Sequence, residues 1–177
     1  MPFEWSLHPP ILHGTYHHPS EIPPVVHRLA TEYEGTLPHR MGFNLPLTST
    51  GKQTLKDTIK LAWDNAQYLI VYPKKDPQTR RHELLHARYH LDPAYRQHVE
   101  TLWQSLTPKQ QQRVRQTLRA LHYPDTLLLD EFQAYYYTEK PRFFGLPAPS
   151  VEDALKRKAP LLTEWSPCGS SGSSSCR

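Results

Sequence analysis

Apolar residues fall along this chain in short blocks whose spacing changes from one block to the next. Tyr68 to Tyr72 is a continuous apolar run. It is short and rich in aromatic and β-branched residues, so it reads as a buried strand. Pro73 and the polar segment Lys74 to Gln78 close it, and a helix is expected from near Thr79, with Leu84 and Leu85 as its apolar contacts. Beyond Pro93, the residues Tyr95, Val99, Leu102 and Trp103 form a helical stripe running to about Leu106. Thr107-Pro108 restarts a helix, with threonine at the N-cap and proline in the first turn, and this helix extends to about Leu121. Leu128, Phe132 and Tyr135 recur at helical spacing, as do Leu127 and Ala134, and predict a helix ending near Pro141.

Toward the ends the pattern is weaker. Val25 to Tyr33 predicts a short helix, and Met41 to Leu47 a strand broken by Pro46. Thr50-Gly51-Lys52-Gln53 leads into a helix with Leu55, Ile59, Leu61 and Trp63 on its apolar side, ending near Asn65. Ser150 to Lys158 reads as a last short helix, capped by Ser150. Residues 1–24 are rich in Pro and His and are expected to be irregular. The Ser/Gly-rich tail 161–177 has no means of burying a core and is expected to be disordered. At 177 residues the chain is one domain by length. The predicted fold class is α+β: a helix-dominated domain over 25–160, with a small sheet packed on the helix that follows Tyr72.

That helix carries the candidate chemistry. Arg81 to His90 contains His82-Glu83-x-x-His86. Positions i and i+4 stack on one helical face, so two imidazoles can aim at a single metal ion. Glu83 lies about 100° round the helix from His82, placed to act as a general base without being a ligand. Zn2+ held by two His and one carboxylate, with a position left open, lowers the pKa of its water to about 7. The third ligand is expected to be Glu131, because a carboxylate planted in the apolar turn Leu127 to Tyr135 costs free energy unless paired or metal-bound. Asp130 is expected to face outward. Asp92 is a rival ligand ten residues after His82, but Asp92-Pro93 reads more plainly as an N-cap and first helical position. His90 continues the series, yet the outer two of three such rings stand about 12 Å apart, so it is expected in the core or behind the ligands.

His82, Glu83 and His86, followed by Glu131 on a later helix, resemble the gluzincin branch of the zincin metallopeptidases. The second motif of that branch often reads Glu-x-x-Ala-x, which Glu131, Ala134 and Tyr135 match. The resemblance covers about Gln67 to Thr138. It implies a zincin-like fold, a zinc cofactor, peptide or protein substrates, and Glu83 as the catalytic base. Tyr135 departs from the pattern, since related peptidases carry an Asp there that orients the first His. A tyrosine hydroxyl could orient that ring or face the substrate. Tyr123, Tyr136, Tyr137 and His122 are further candidates for oxyanion stabilisation, and the Tyr68–Tyr72 strand is a candidate for pairing with an extended peptide.

Composition adds limits. Net charge is +4 and pI about 9.1, with charges interspersed, and no nucleic-acid motif accompanies them. The 11 His are the compositional anomaly, and those at positions 8, 13, 17 and 18 are expected at the surface. The two cysteines, Cys168 and Cys176, lie in the tail, so no disulfide framework is available to the fold, which fits a reducing compartment. The N-terminus lacks the basic and apolar regions of a signal peptide, and no stretch reaches the length of a membrane span. An intracellular, cytoplasmic setting is the resulting expectation. Two other classes remain compatible: a catalytically inactive zincin-like regulatory or interaction module that retains the metal, and a helical binding module whose His pair is accidental.

Overall fold

The structure is a computed structural model and describes residues 3–35, 41–140 and 143–149. The fold is α+β: a four-stranded mixed sheet and six α-helices among the described residues. The strands are β1 (Glu4–His8), β2 (Ile11–Tyr16), β3 (Phe43–Pro46) and β4 (Tyr68–Pro73). The helices are α1 (Pro24–Glu34), α2 (Ser49–Leu55), α3 (Pro77–Leu91), α4 (Pro93–Ser105), α5 (Pro108–Ala120) and α6 (Leu128–Thr138).

The sheet order is β1-β2-β4-β3. β4 is interior, parallel to β2 and antiparallel to β3. Covered on both faces, it reads as an unbroken apolar run rather than an alternating one. Leu12, Leu69, Val71, Phe43 and Leu45 bury one face against Val26 and Ala30 of α1, Leu55 of α2, and the following Ile59 and Trp63. Ile11, Tyr68, Ile70 and Tyr72 bury the other against Leu84 and Ala87 of α3. Leu85 points the opposite way, into a second core built from Tyr95, Val99 and Trp103 of α4, Val114 and Leu118 of α5, and Phe132 of α6. Thus α3 stands between the sheet and the helical layer, and both kinds of environment meet along it.

Local chemistry fixes the ends of these helices. The Asp76 carboxylate accepts from the Gln78 and Thr79 amides and Pro77 occupies the first turn of α3. Asp92 both ends α3 and caps α4, accepting from the Tyr95 amide. Thr107 and Gln110 form a capping box at α5.

The N-terminal segment departs from expectation. Instead of being irregular, it supplies β1 and β2, and the domain therefore begins before residue 25. His13 is buried in this sheet and shares a 3.0 Å hydrogen bond with the Tyr72 hydroxyl; burial lowers its pKa to about 3. His8, His17 and His18 are exposed as expected. α2 ends at Leu55, ten residues short of the expected end. Ile59, Leu61 and Trp63 alternate by two, which is not helical spacing, and Ile59 and Trp63 reach the core from irregular chain. The expected Ser150–Lys158 helix and the tail lie outside the described residues. Among the described residues no helix is long and apolar enough to cross a membrane.

Asp92→Ala removes the side-chain cap of α4 while keeping the backbone contact that ends α3, with an expected cost of about 1 kcal/mol. Denaturant titration should read that loss, and metal affinity should stay unchanged if Asp92 is a cap and not a ligand.

Candidate metal centre

α3 and α6 pack against each other and bring the predicted ligands together. One ligand atom each from His82, His86 and Glu131 all lie within 4.8 Å of one another. The closest approach is His86 Nε2 to Glu131 Oε2, 3.8 Å. Tetrahedral zinc with bonds of about 2.0–2.1 Å would space its ligands about 3.4 Å apart, so side-chain adjustments of about an ångström would suffice. Asp92 is not in the group, and His90 is exposed at the end of α3, its ring 5.1 Å from that of Tyr68. His90 is thus neither in the core nor behind the ligands.

The ring nitrogens turned away from this point are both held by α6. His86 Nδ1 lies 2.8 Å from Asp130 Oδ1. A carboxylate can only accept, so Nδ1 carries a hydrogen, and it is Nε2 that turns toward Glu131 and would offer its lone pair to a metal once any second proton has left. His82 Nδ1 lies 3.2 Å from Thr138 Oγ1. The Thr138 hydroxyl donates its one hydrogen to the Ala134 carbonyl at 2.7 Å, so it must accept from His82 Nδ1–H, and here too Nε2 is left to bind. Asp130 is fixed in turn: Gln133 Nε2 donates to it at 3.2 Å, and the Tyr95 hydroxyl donates to Gln133 Oε1 at 2.8 Å.

Asp130 therefore corrects the outward placement expected of it. It is 9% exposed, with Leu128, Glu131, Phe132, Gln133 and Ala134 of the same helix also buried. α6 is enclosed on nearly all sides, and a helical wheel cannot assign such a helix an outer face. Thr138 was legible only as the residue seven beyond Glu131, on the same face of the helix.

The electrostatics favour a cation at this point. Burial opposes a charged His86, but Asp130, Glu131 and Glu83 around it hold its pKa well above the ordinary imidazole value. Burial raises the Glu131 pKa well above the usual carboxylate range; His86 opposes the shift, while Asp130, Glu34 and Glu83 add to it. Burial and the neighbouring His86 keep the His82 pKa well below the usual value. Glu131 Oε2 is buried without a hydrogen-bond partner among the described atoms. An orphaned carboxylate oxygen beside nitrogens of two imidazole rings is a donor set that fits a metal with zinc's preferences for nitrogen and oxygen.

Glu83 takes the position beside the ligands that the helical geometry implies. It is 4% exposed, and its Oε2 accepts from Asn44 Nδ2 at 3.0 Å. The Tyr68 hydroxyl donates to Asn44 Oδ1 at 2.7 Å and fixes that amide. Gly42 lies hard against the other oxygen: a Cβ there would collide with Glu83 Oε1. The Tyr135 ring packs edge-on against His82, centroids 4.7 Å apart, and its hydroxyl meets that of Tyr123 at 3.1 Å. Orientation of His82 thus falls to Thr138, not to the Tyr135 hydroxyl. Burial, partly opposed by the bond to Tyr123, pushes the Tyr135 pKa up to about 12, so it stays a protonated donor at neutral pH. Tyr137 pairs with His98 and Tyr136 with the Pro147 carbonyl, while His122 is exposed. Comparisons with known proteins find no matching family model, curated protein or solved structure.

If His82, His86 and Glu131 hold zinc, the wild type should gain thermal stability on adding zinc at neutral pH and Glu131→Ala should lose that gain. Asp130→Asn should keep a site but weaken it about 10- to 100-fold, the usual cost of removing a ligand's orienting partner. Competition with a chelator of known affinity measures this directly.

Proposed function

We propose that the protein is a zinc-dependent hydrolase, a small metallopeptidase of gluzincin type. The observation that carries the reading is the orphaned Glu131 oxygen beside His86, within a group that also contains His82. His82 and His86 would hold the metal through Nε2 and Glu131 through a carboxylate oxygen. Zinc would supply Lewis acidity, polarising a carbonyl and making water acidic near neutral pH.

The chain's own groups support the remaining steps. Glu83, buried and steadied by Asn44, would take a proton from the attacking water and return it to the leaving amine. Tyr135, a phenol that keeps its proton, would donate to the developing oxyanion. Tyr123 holds the Tyr135 hydroxyl and is the second candidate for that role. The sheet favours extended peptides as ligands because β3, which carries Asn44, is an edge strand among the described residues. β4 cannot take the peptide-pairing role expected of the Tyr68–Tyr72 run, since β2 and β3 already occupy both of its edges.

The test is turnover of a peptide library by zinc-loaded protein, read by mass spectrometry. Glu83→Gln should retain zinc and lose cleavage. Tyr135→Phe keeps the ring against His82 and should lower kcat by about 10²-fold, the usual worth of one oxyanion donor. Gly42→Ala displaces the base without replacing it: the added methyl meets the Glu83 carboxylate and the Thr79 methyl, so cleavage should fall while zinc is retained. Stoichiometric zinc with no cleavage by the wild type would leave the inactive metal-binding module as the reading.

A further inference from the structure

The pairing of β3 with β4 decides which of its backbone groups point outward. Leu47 N donates to Gln67 O at 2.8 Å, continuing the antiparallel register Phe43 to Val71 and Leu45 to Leu69. Backbone groups alternate sides along a strand. Phe43, Leu45 and Leu47 therefore turn theirs toward β4, while Asn44 and Pro46 face away. Proline has no N–H, so within β3 the Asn44 amide is the donor that the outer edge offers.

That donor is engaged from within the chain. Glu34 Oε1 accepts from Asn44 N at 3.1 Å. Glu34 is 4% exposed and is the last residue of α1. Its oxygen stands at hydrogen-bond distance from an edge amide, where the carbonyl of an added strand would stand. The place is next to the centre, because the Asn44 side chain holds Glu83 and Gly42 packs on the same carboxylate. The Glu34 charge is also among those that raise the Glu131 pKa.

We propose that Glu34 is a built-in stand-in for a peptide carbonyl on the outer edge of β3. An extended peptide docks beside the centre only by taking the Asn44 amide from Glu34, and Glu34 thereby sets how tightly such peptides bind. The proposal rests on the peptidase reading for its choice of ligand. It adds a residue outside the metal group that governs access to the edge.

The experiment measures binding without turnover, in zinc-loaded protein carrying Glu83→Gln. The probes are N-acetylated, C-amidated hexapeptides selected from a library by affinity and titrated calorimetrically. Glu34→Ala should raise their affinity about two- to tenfold, the net worth of one hydrogen bond. Glu34→Gln keeps an acceptor oxygen and should leave affinity near the parent value. Amide hydrogen exchange supplies the control: the Asn44 N–H should exchange faster with alanine at 34 than with glutamine. Glu34→Ser serves if the alanine variant does not fold. Unchanged or weaker peptide binding once the Asn44 amide exchanges freely would overturn the proposal, as would a failure of every variant to bind peptide. Equal weakening by alanine and glutamine would also overturn it, because Glu34 would then be recognising a cationic group. Cleavage takes no part in this readout, so an inert wild-type centre would sink the hydrolase reading separately.

Discussion

The Glu131 carboxylate sits out of water, with one oxygen lacking a hydrogen-bond partner and the His86 ring 3.8 Å away. Removing an ionised carboxylate from water costs several kcal/mol unless a counter-charge is close. Asp130, Glu34 and Glu83 make the local potential still more negative. A positive charge between Glu131 and the two rings relieves all of these at once. The position joins α3, whose other face lies on the sheet, to α6, which lies in the helical layer. A cation bound there would tie the two cores of the protein together.

The helical repeat of α3 distributes the work around its axis. Leu84 and Ala87 meet the sheet, and Leu85 meets α4, α5 and α6. His82 and His86 lie toward α6, while Glu83, about 100° further round, reaches Asn44 on β3. Glu83 is thus braced by the sheet, and His82 and His86 by the helical layer. Substitution on one side can therefore disturb Glu83 while leaving the grouping of His82, His86 and Glu131 intact.

Much of the helical layer was legible because its signals are local. Asp92-Pro93 and Thr107-Pro108 mark helix starts with caps that need no tertiary information, and β4 announces itself by an unbroken apolar run. The ligand group could be read from two short motifs. β2 could not, because its partner β4 is remote: Ile11 lies opposite Tyr68 and Gly14 opposite Val71, and β1 only adds to β2 across the Pro9-Pro10 turn. A segment containing prolines, histidines and a glycine looks irregular until β4 offers it an edge. Asp130 was misplaced for a related reason. Periodicity assigns an outer face to any amphipathic helix, but α6 has neighbours on nearly every side.

The contacts behind the ligands bear on whether the His pair is accidental. His-Glu-x-x-His is short enough to arise by chance in a His-rich chain, and the motif says nothing about Nδ1. Yet His86 gives its Nδ1 hydrogen to Asp130, and His82 gives its own to the already committed hydroxyl of Thr138. Both rings are thereby locked with Nε2 available, and Asp130 is itself steadied through Gln133 and Tyr95. A chance pair on a solvated face has no need of a buried acid, a buried amide and a buried phenol behind one ring. Burying those groups costs free energy that hydrogen bonds only partly recover. Fixing two tautomers beside an orphaned carboxylate oxygen gives that cost a purpose, and this supports a metal centre more strongly than the motif alone.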